Sequence, residues 1–317
     1  MDLIRPACGL KPLTKRFSPY QIAVAQLIFA GSIWGISFTC VRWALADFSS
    51  SNLIFWRFAI AFIVGELLQF IFKPETYKNS WSDLKIALWA GIALGLSILL
   101  QTHGLHFTTA TKSSFITSLY VVMLPLVAGI IFRQRIKSDH IVLGLIAFAG
   151  MALLLDLHKA EFTFNFGDLL TLGCALASTF HIIFIGSAAN RVKSGFRFNN
   201  FQTMWSLIVI MPFLIYEMNT KGILLWPASV QPKSLLGLFI LAAFSSILAF
   251  YLQIKAQKVL SNTTSSLLCL LEAPYAFIFA AILLDEKLNA VQLRGVLIIL
   301  ASSVASVYID RPKNRES

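Results

Sequence analysis

The sequence predicts an all-α integral membrane protein of ten transmembrane helices in two inverted five-helix repeats. Three observations predict it. Of 317 residues, 57% are hydrophobic and 13% are charged, with a mean hydropathy of +0.75; a soluble domain carries about 25% charged residues. Ten apolar runs reach the length of about 17–25 residues that crosses a bilayer. The second half of the chain also repeats the order of features of the first.

The runs cover approximately 21–45, 52–72, 84–105, 109–132, 139–155, 166–189, 198–216, 234–256, 263–284 and 289–309. Each is bounded by charged, Pro, Gly or Asn-rich punctuation, and the connections are too short for a separate soluble domain. Residues 1–20 and 311–317 read as tails, 21–157 as the first half and 164–310 as the second. Arg5, Lys11, Lys15 and Arg16 precede an apolar run too long for a signal-peptide core, so a first span follows a cytoplasmic tail. With the N-terminus inside, 18 of the 26 Lys and Arg fall on the cytoplasmic side and 7 on the other, leaving Arg57 within the second span. This bias predicts a multi-pass protein of the cell (inner) membrane with both termini cytoplasmic. It also accounts for most of the +11 net charge without nucleic acid as a partner. Cys8, Cys40, Cys174 and Cys269 are far apart and show no CxxC spacing, so neither a disulfide frame nor a metal site is expected.

The repeat is clearest between 109–155 and 260–307. Each segment runs from a Ser/Thr-rich start through an apolar helix with one central proline, Pro125 or Pro274, to a short charged turn, Arg133-Gln134-Arg135 or Asp285-Glu286-Lys287. Each then opens a helix with a glycine near its start, Gly144 or Gly295. Five spans per copy force the copies to cross the membrane in opposite senses. Inverted repeats of this kind characterise many secondary transporters, whose substrate site lies between the repeats near the midplane.

The motifs GSIWGISFTCVRWAL in the first span, FWRFAIAFIV in the second, TTATKSSFITSLYVVMLPLVAGIIF in the fourth, GDLLTLGCALASTF opening the sixth and LLEAPYAFIFAAILLDEKL in the ninth resemble the EamA-type drug/metabolite transporters. The resemblance covers about Gln21 to Ile309. It implies ten spans, a central cavity lined chiefly by spans 1, 3, 4, 6, 8 and 9, and export or exchange of small organic metabolites, amino acids among the commonest. One departure is the basic first-half turn Arg133-Gln134-Arg135, where the family often has an acidic residue like Glu286.

Glu272 is the leading substrate-binding candidate. It lies near half depth of the ninth span, where a carboxylate costs about 2.5–3.5 kcal/mol and so faces other helices or water. It either binds an ammonium or hydroxyl group of the substrate, takes up a proton, or is a structural carboxylate; Met123 stands at its place beside Pro125. Tyr275 shares its face. Lys112 and Tyr120 share one face of the fourth span, Lys112 as a carboxylate partner or a snorkelling residue near the outer end. Trp34 in the first span, Gln101 in the third, His181 in the sixth and Tyr251 in the eighth complete the predicted cavity, with only one of Tyr251 and Gln253 expected to face it. Arg57 and Glu66, nine residues apart on the second span, point about 180° apart and cannot pair with each other. Arg57 is expected to be a structural anchor.

His103 and His106 have HxxH spacing without HExxH or a carboxylate cluster, so a catalytic metal is not expected. The absence of GxxxxGK[ST] argues against ATP-driven pumping. The sequence therefore predicts no enzyme and no cofactor. It predicts a secondary transporter of small polar metabolites, most of all amino acids or related zwitterions, with the lipid bilayer as surroundings, coupling to protons or a counter-substrate, and a monomeric or homodimeric state. The alternative substrate is a larger one, such as a nucleotide-linked sugar, nucleoside or vitamin cofactor. The alternative class is an integral-membrane lipid or prenyl enzyme.

Overall fold

The computed structural model describes residues 17–108, 110–133, 137–157, 164–284 and 289–311. Apart from Arg133, the two charged turns compared above lie outside the described residues, as do Lys159 and most of both tails. The described chain forms ten spans, all helical: Pro19–Ala44, Ser50–Phe72, Ser80–Gly104, a fourth made of Ala110–Ser118 and Tyr120–Ile130, Ser138–Leu154, Phe166–Ala189, Gly195–Lys221, an eighth running from Pro232 to Ala256, a ninth made of Asn262–Cys269 and Glu272–Leu284, and Ala290–Asp310. Eight of them are individually long and apolar enough to cross a bilayer. The fifth has 17 residues, and the ninth reaches crossing length only when its two pieces are taken together.

Corresponding spans of the two halves start on the same local devices. Ser18 and Asn165 open the first and sixth spans with capping boxes, each accepting from the backbone N–H three residues on while Gln21 and Asp168 reach back to the cap N–H. Ser49 and Ser194 cap the second and seventh spans in the same position. Such caps satisfy helix N–H groups that would otherwise be left open at the membrane boundary.

The packing is two-fold. The first span lies against the eighth and ninth, and the sixth lies against the third and fourth. The second packs on the seventh and eighth, and the seventh on the second and third. The fourth meets the ninth, and the fifth meets the tenth. Advancing every span by five reproduces the arrangement, and five spans per half make the two halves inverted copies. The fifth and tenth spans cross where Gly150 faces Gly295: a Cβ on Gly295 would lie 2.5 Å from the Gly150 carbonyl oxygen, so backbone meets backbone.

Both breaks in regular helix fall at matching points. In the fourth span Leu119 is a turn, its N–H bonded to the Ile116 carbonyl at 3.1 Å. In the ninth, Leu270 and Leu271 form the turn, with Leu271 N–H on Leu268 O at 3.2 Å. Pro274 cannot supply the N–H that would bond the Leu270 carbonyl. The Ala273 N–H takes that carbonyl instead, at 3.1 Å. The middle of the eighth span, Ile240–Ala249, is wound as a π-helix.

The first span begins where the tenth ends, since Tyr20 Oη donates to the Val307 carbonyl at 2.7 Å. At this termini-side face Asp310 gathers Lys137, Ser261 and Thr264, with His140 Nε2 at 3.2 Å, tying the fifth, ninth and tenth spans together. Nearby, Glu66 pairs with Arg197 and Asn200 across the second and seventh spans. At the opposite face Asp156, which ends the fifth span, accepts from Asn289, which starts the tenth, at 2.5 Å.

Candidate functional site

Between the halves lies a cavity with two adjoining lobes of about 210 and 350 Å³. Phe38, Val41, Gln101, Thr117, Tyr120 and Glu272 border both lobes. The smaller lobe is the deeper and more polar. Trp34, Ser97, Cys174, Ser178, His181, Ser245, Gln253 and Arg57 line it. The larger runs past Arg42, Leu45, Leu105 and Leu155 toward the face opposite the termini.

Glu272 is the first residue of the half-helix Glu272–Leu284. A helix start presents free N–H groups and the positive end of the helix dipole, which makes it a tolerable place for a carboxylate in the membrane. Among the described residues the Glu272 carboxylate has no side-chain hydrogen bond and no ion pair. It is turned toward both lobes. Tyr120 occupies the matching place in the fourth span, as first residue of Tyr120–Ile130, and its hydroxyl reaches the Ser266 carbonyl at 3.4 Å. The close approach of the first span to the break rests on Gly35, where a Cβ would fall 2.5 Å from Tyr275 Cβ and 2.9 Å from the Ala276 nitrogen.

The other polar groups of the deep lobe are mostly held by one another. Gln101 Nε2 donates to Thr117 Oγ1 at 3.2 Å, the Ser97 and Ser178 hydroxyls share a hydrogen bond of 2.6 Å, and His181 Nε2 lies 3.3 Å from Gln202 Oε1. The Trp34 ring leans on Phe250 at 5.3 Å, and its indole N–H is buried without a partner among the described residues. A cavity at the centre of ten spans, lined toward one membrane face and carrying polar groups without an ion pair among the described residues, suits passage of a solute better than bond-breaking chemistry.

The chain matches the model of the EamA-like transporter family twice, over residues 21–156 and 165–308. It belongs to the EamA-like transporter family. A transporter of Archaeoglobus fulgidus is 30% identical over 98% of this chain and 92% of its own, and Bacillus subtilis YetK, also named as a transporter, is 23% identical over 97% and 92%. One crystal structure superposes with a TM-score of 0.74, covering 91% of this chain and 97% of that one, at 13% identity, a likeness of fold.

Against what EamA membership implies, spans 1, 3, 4, 6, 8 and 9 do line the cavity, and the second span adds Arg57. Of the eight residues expected there, Glu272, Trp34, Gln101, Tyr120 and His181 border it. Three do not. Lys112 points away into a buried ion pair with Asp168 Oδ2 at 2.7 Å, so it supplies no positive end to the cavity. Asp168 also accepts from Thr108 and the Asn165 N–H, so the pair locks the start of the fourth span to the start of the sixth. Tyr275 packs its Cβ on Gly35, because the break turns the half-helix so that the position after the proline meets the first span. Tyr251 stacks edge-on with Phe196 at 5.6 Å, so of Tyr251 and Gln253 it is Gln253 that faces the cavity. By position beside the proline the counterpart of Glu272 is Met123, while the first residue after the break of the fourth span is Tyr120. Arg57 borders the cavity and also ties the second span to the eighth through Ser245 and Ser246.

Proposed function

We propose that the chain is a secondary transporter that exports or exchanges small polar organic metabolites, amino acids or related zwitterions, by alternating access. The observation that carries this reading is the uncommitted Glu272 carboxylate at the head of a broken helix, at the meeting of two inverted halves. Half-helix ends facing a midplane cavity are the recurrent way secondary transporters bind solutes. Glu272 and Arg57 both border the smaller lobe of about 210 Å³, which supports a small charged group of the substrate being held there. The basic bias of the sequence supports a cell-membrane protein with both termini cytoplasmic, which makes the state described here open to the outside. Glu272 receives the substrate's ammonium or hydroxyl group. Trp34, Tyr120, Gln101 and His181 shape the wall around it, and a proton or a counter-substrate occupies the carboxylate on the return.

The test is flux in proteoliposomes loaded with a mixture of labelled amino acids. Wild-type protein should move at least one of them, and Glu272→Gln should lower that flux by about 100-fold or more, as expected when a buried charged contact is lost. The variant should melt in detergent at the wild-type temperature or above, because it removes a charge that no described residue neutralises. Undiminished flux in a folded Glu272→Gln protein would remove the carboxylate from the mechanism.

A further inference from the structure

Arg57 is the other charge of the deep lobe without an ion pair among the described residues, and its surroundings differ from those of the buried cations Lys112 and Arg197. Lys112 and Arg197 each hold a carboxylate, Asp168 and Glu66 respectively. Arg57 holds none among the described residues. Its Nε donates to Ser246 Oγ at 2.8 Å and its Nη2 to Ser245 Oγ at 2.9 Å, so two hydroxyls take one edge of the guanidinium. Hydroxyls orient an arginine without neutralising it. A guanidinium has five N–H donors in one plane, and the remaining edge, Nη1 with the outer N–H of Nη2, has no protein acceptor among the described residues.

The serines are themselves fixed in an unusual way. Both lie in the π-helix Ile240–Ala249, whose wider turn sets them side by side toward the second span. Asn199 of the seventh span donates its Nδ2 to the carbonyls of Ser246 and Ile247, at 3.1 Å each. Three spans therefore hold the plane of one guanidinium, and Arg57 is the only second-span residue on the deep lobe. An arginine costs about 2.5–3.5 kcal/mol at the centre of a span. Rigid support without a counter-ion is the arrangement of a receptor waiting for an anion.

We propose that Arg57 receives the carboxylate of the transported molecule, end-on and bidentate, while Glu272 receives its ammonium group. This inference rests on the transport reading and deepens it. The cavity then selects a zwitterion over the amine that lacks the carboxylate. One planar edge matches one carboxylate, whereas a phosphate dianion would bring a second negative charge into a lobe with a single cation and a carboxylate already present.

The experiment is a melting-temperature panel on the detergent-purified chain with three sets of probes: the twenty common amino acids, the amines formally derived from them by decarboxylation, and their methyl esters. At least one amino acid should raise the melting temperature, and its amine and ester should not. Arg57→Gln should abolish that rise while remaining folded. Arg57→Lys, which keeps the charge and loses the fork, should weaken the apparent affinity about tenfold or more. The proposal is overturned if amine and amino acid stabilise the wild type equally, if no carboxylate-bearing probe stabilises it, or if Arg57→Gln retains the response. The two readings separate in proteoliposomes. Flux of an amine without selection for its carboxylate leaves the chain a transporter and removes this role of Arg57. Absence of flux for every probe removes the transport reading itself.

Discussion

At the scale of single residues, some intramembrane charges pair across spans, whereas Glu272 and Arg57 border the cavity without an ion pair among the described residues. Lys112 belongs to the first kind: with Asp168 it is nearly wholly buried, the two side chains being 9% and 1% exposed. Removing one partner of such a pair costs about 3–5 kcal/mol, because the other charge stays behind in a low-dielectric site. Lys112→Ala should therefore lower the detergent melting temperature markedly, and Lys112→Met with Asp168→Leu should restore most of the loss. A Lys112→Ala protein with wild-type melting and a specific loss of amino-acid binding would instead return Lys112 to the cavity. Glu272, Trp34, Gln101, Tyr120 and His181 border the cavity, and each is a polar or aromatic side chain at depth in an apolar run, which is a local signal. The fates of Lys112 and Arg57 were not legible, since the partner that decides each lies on another span: Asp168 is 56 positions away from Lys112, and Ser246 is 189 positions from Arg57. A hint existed in the GDLL motif that opens the sixth span, whose aspartate is an acidic residue at the head of an apolar run.

At the scale of elements, apolar length fixed every span to within a few residues, because crossing a bilayer is a constraint on length and composition alone. The interruptions were harder to foresee. Pro125 and Pro274 pointed to the right helices, but the breaks lie before them, at Leu119 and at Leu270–Leu271. Nothing in leucine itself asks for a turn there. In the ninth span Pro274 decides it, since it leaves the Leu270 carbonyl without the N–H four residues on, and the first span comes in beside the break at Gly35, against Tyr275 and Ala276. The π-helix of the eighth span meets its neighbours through Arg57 and Asn199. Gly35→Val should drive side chain into backbone at this crossing and destabilise the protein by about 1–3 kcal/mol, the usual range for overpacking. It should also displace Glu272, so that transport falls more than the loss of folded protein explains. Melting and flux indistinguishable from wild type would show that the crossing has slack that the geometry denies.

At the scale of the whole molecule, the two-fold contact pattern and the one-sided cavity belong together. In the proposed alternating access, two inverted halves have two ways of resting against each other, related by the pseudo-two-fold axis, and a cavity open at one face in the first is open at the other face in the second. The state described here is open opposite the termini, past Leu45 and Leu105, and is closed on the side held by Asp310, Glu66 and Arg197. The repeat was legible because the order of proline, charged turn and glycine survives even where residue identity has drifted. Which face stands open was not, because on the alternating-access proposal both resting positions use the same sequence and differ in how the halves lean. Electron–electron distance measurements on two doubly labelled variants test this most directly. One carries labels at Leu45 and Leu105, the other at Asn190 and Lys258, which are the exposed counterparts of those sites in the second half. On adding an amino acid that raises the melting temperature, the first distance should shorten and the second lengthen; distances that both stay fixed, or that move in the same direction, would contradict alternating access.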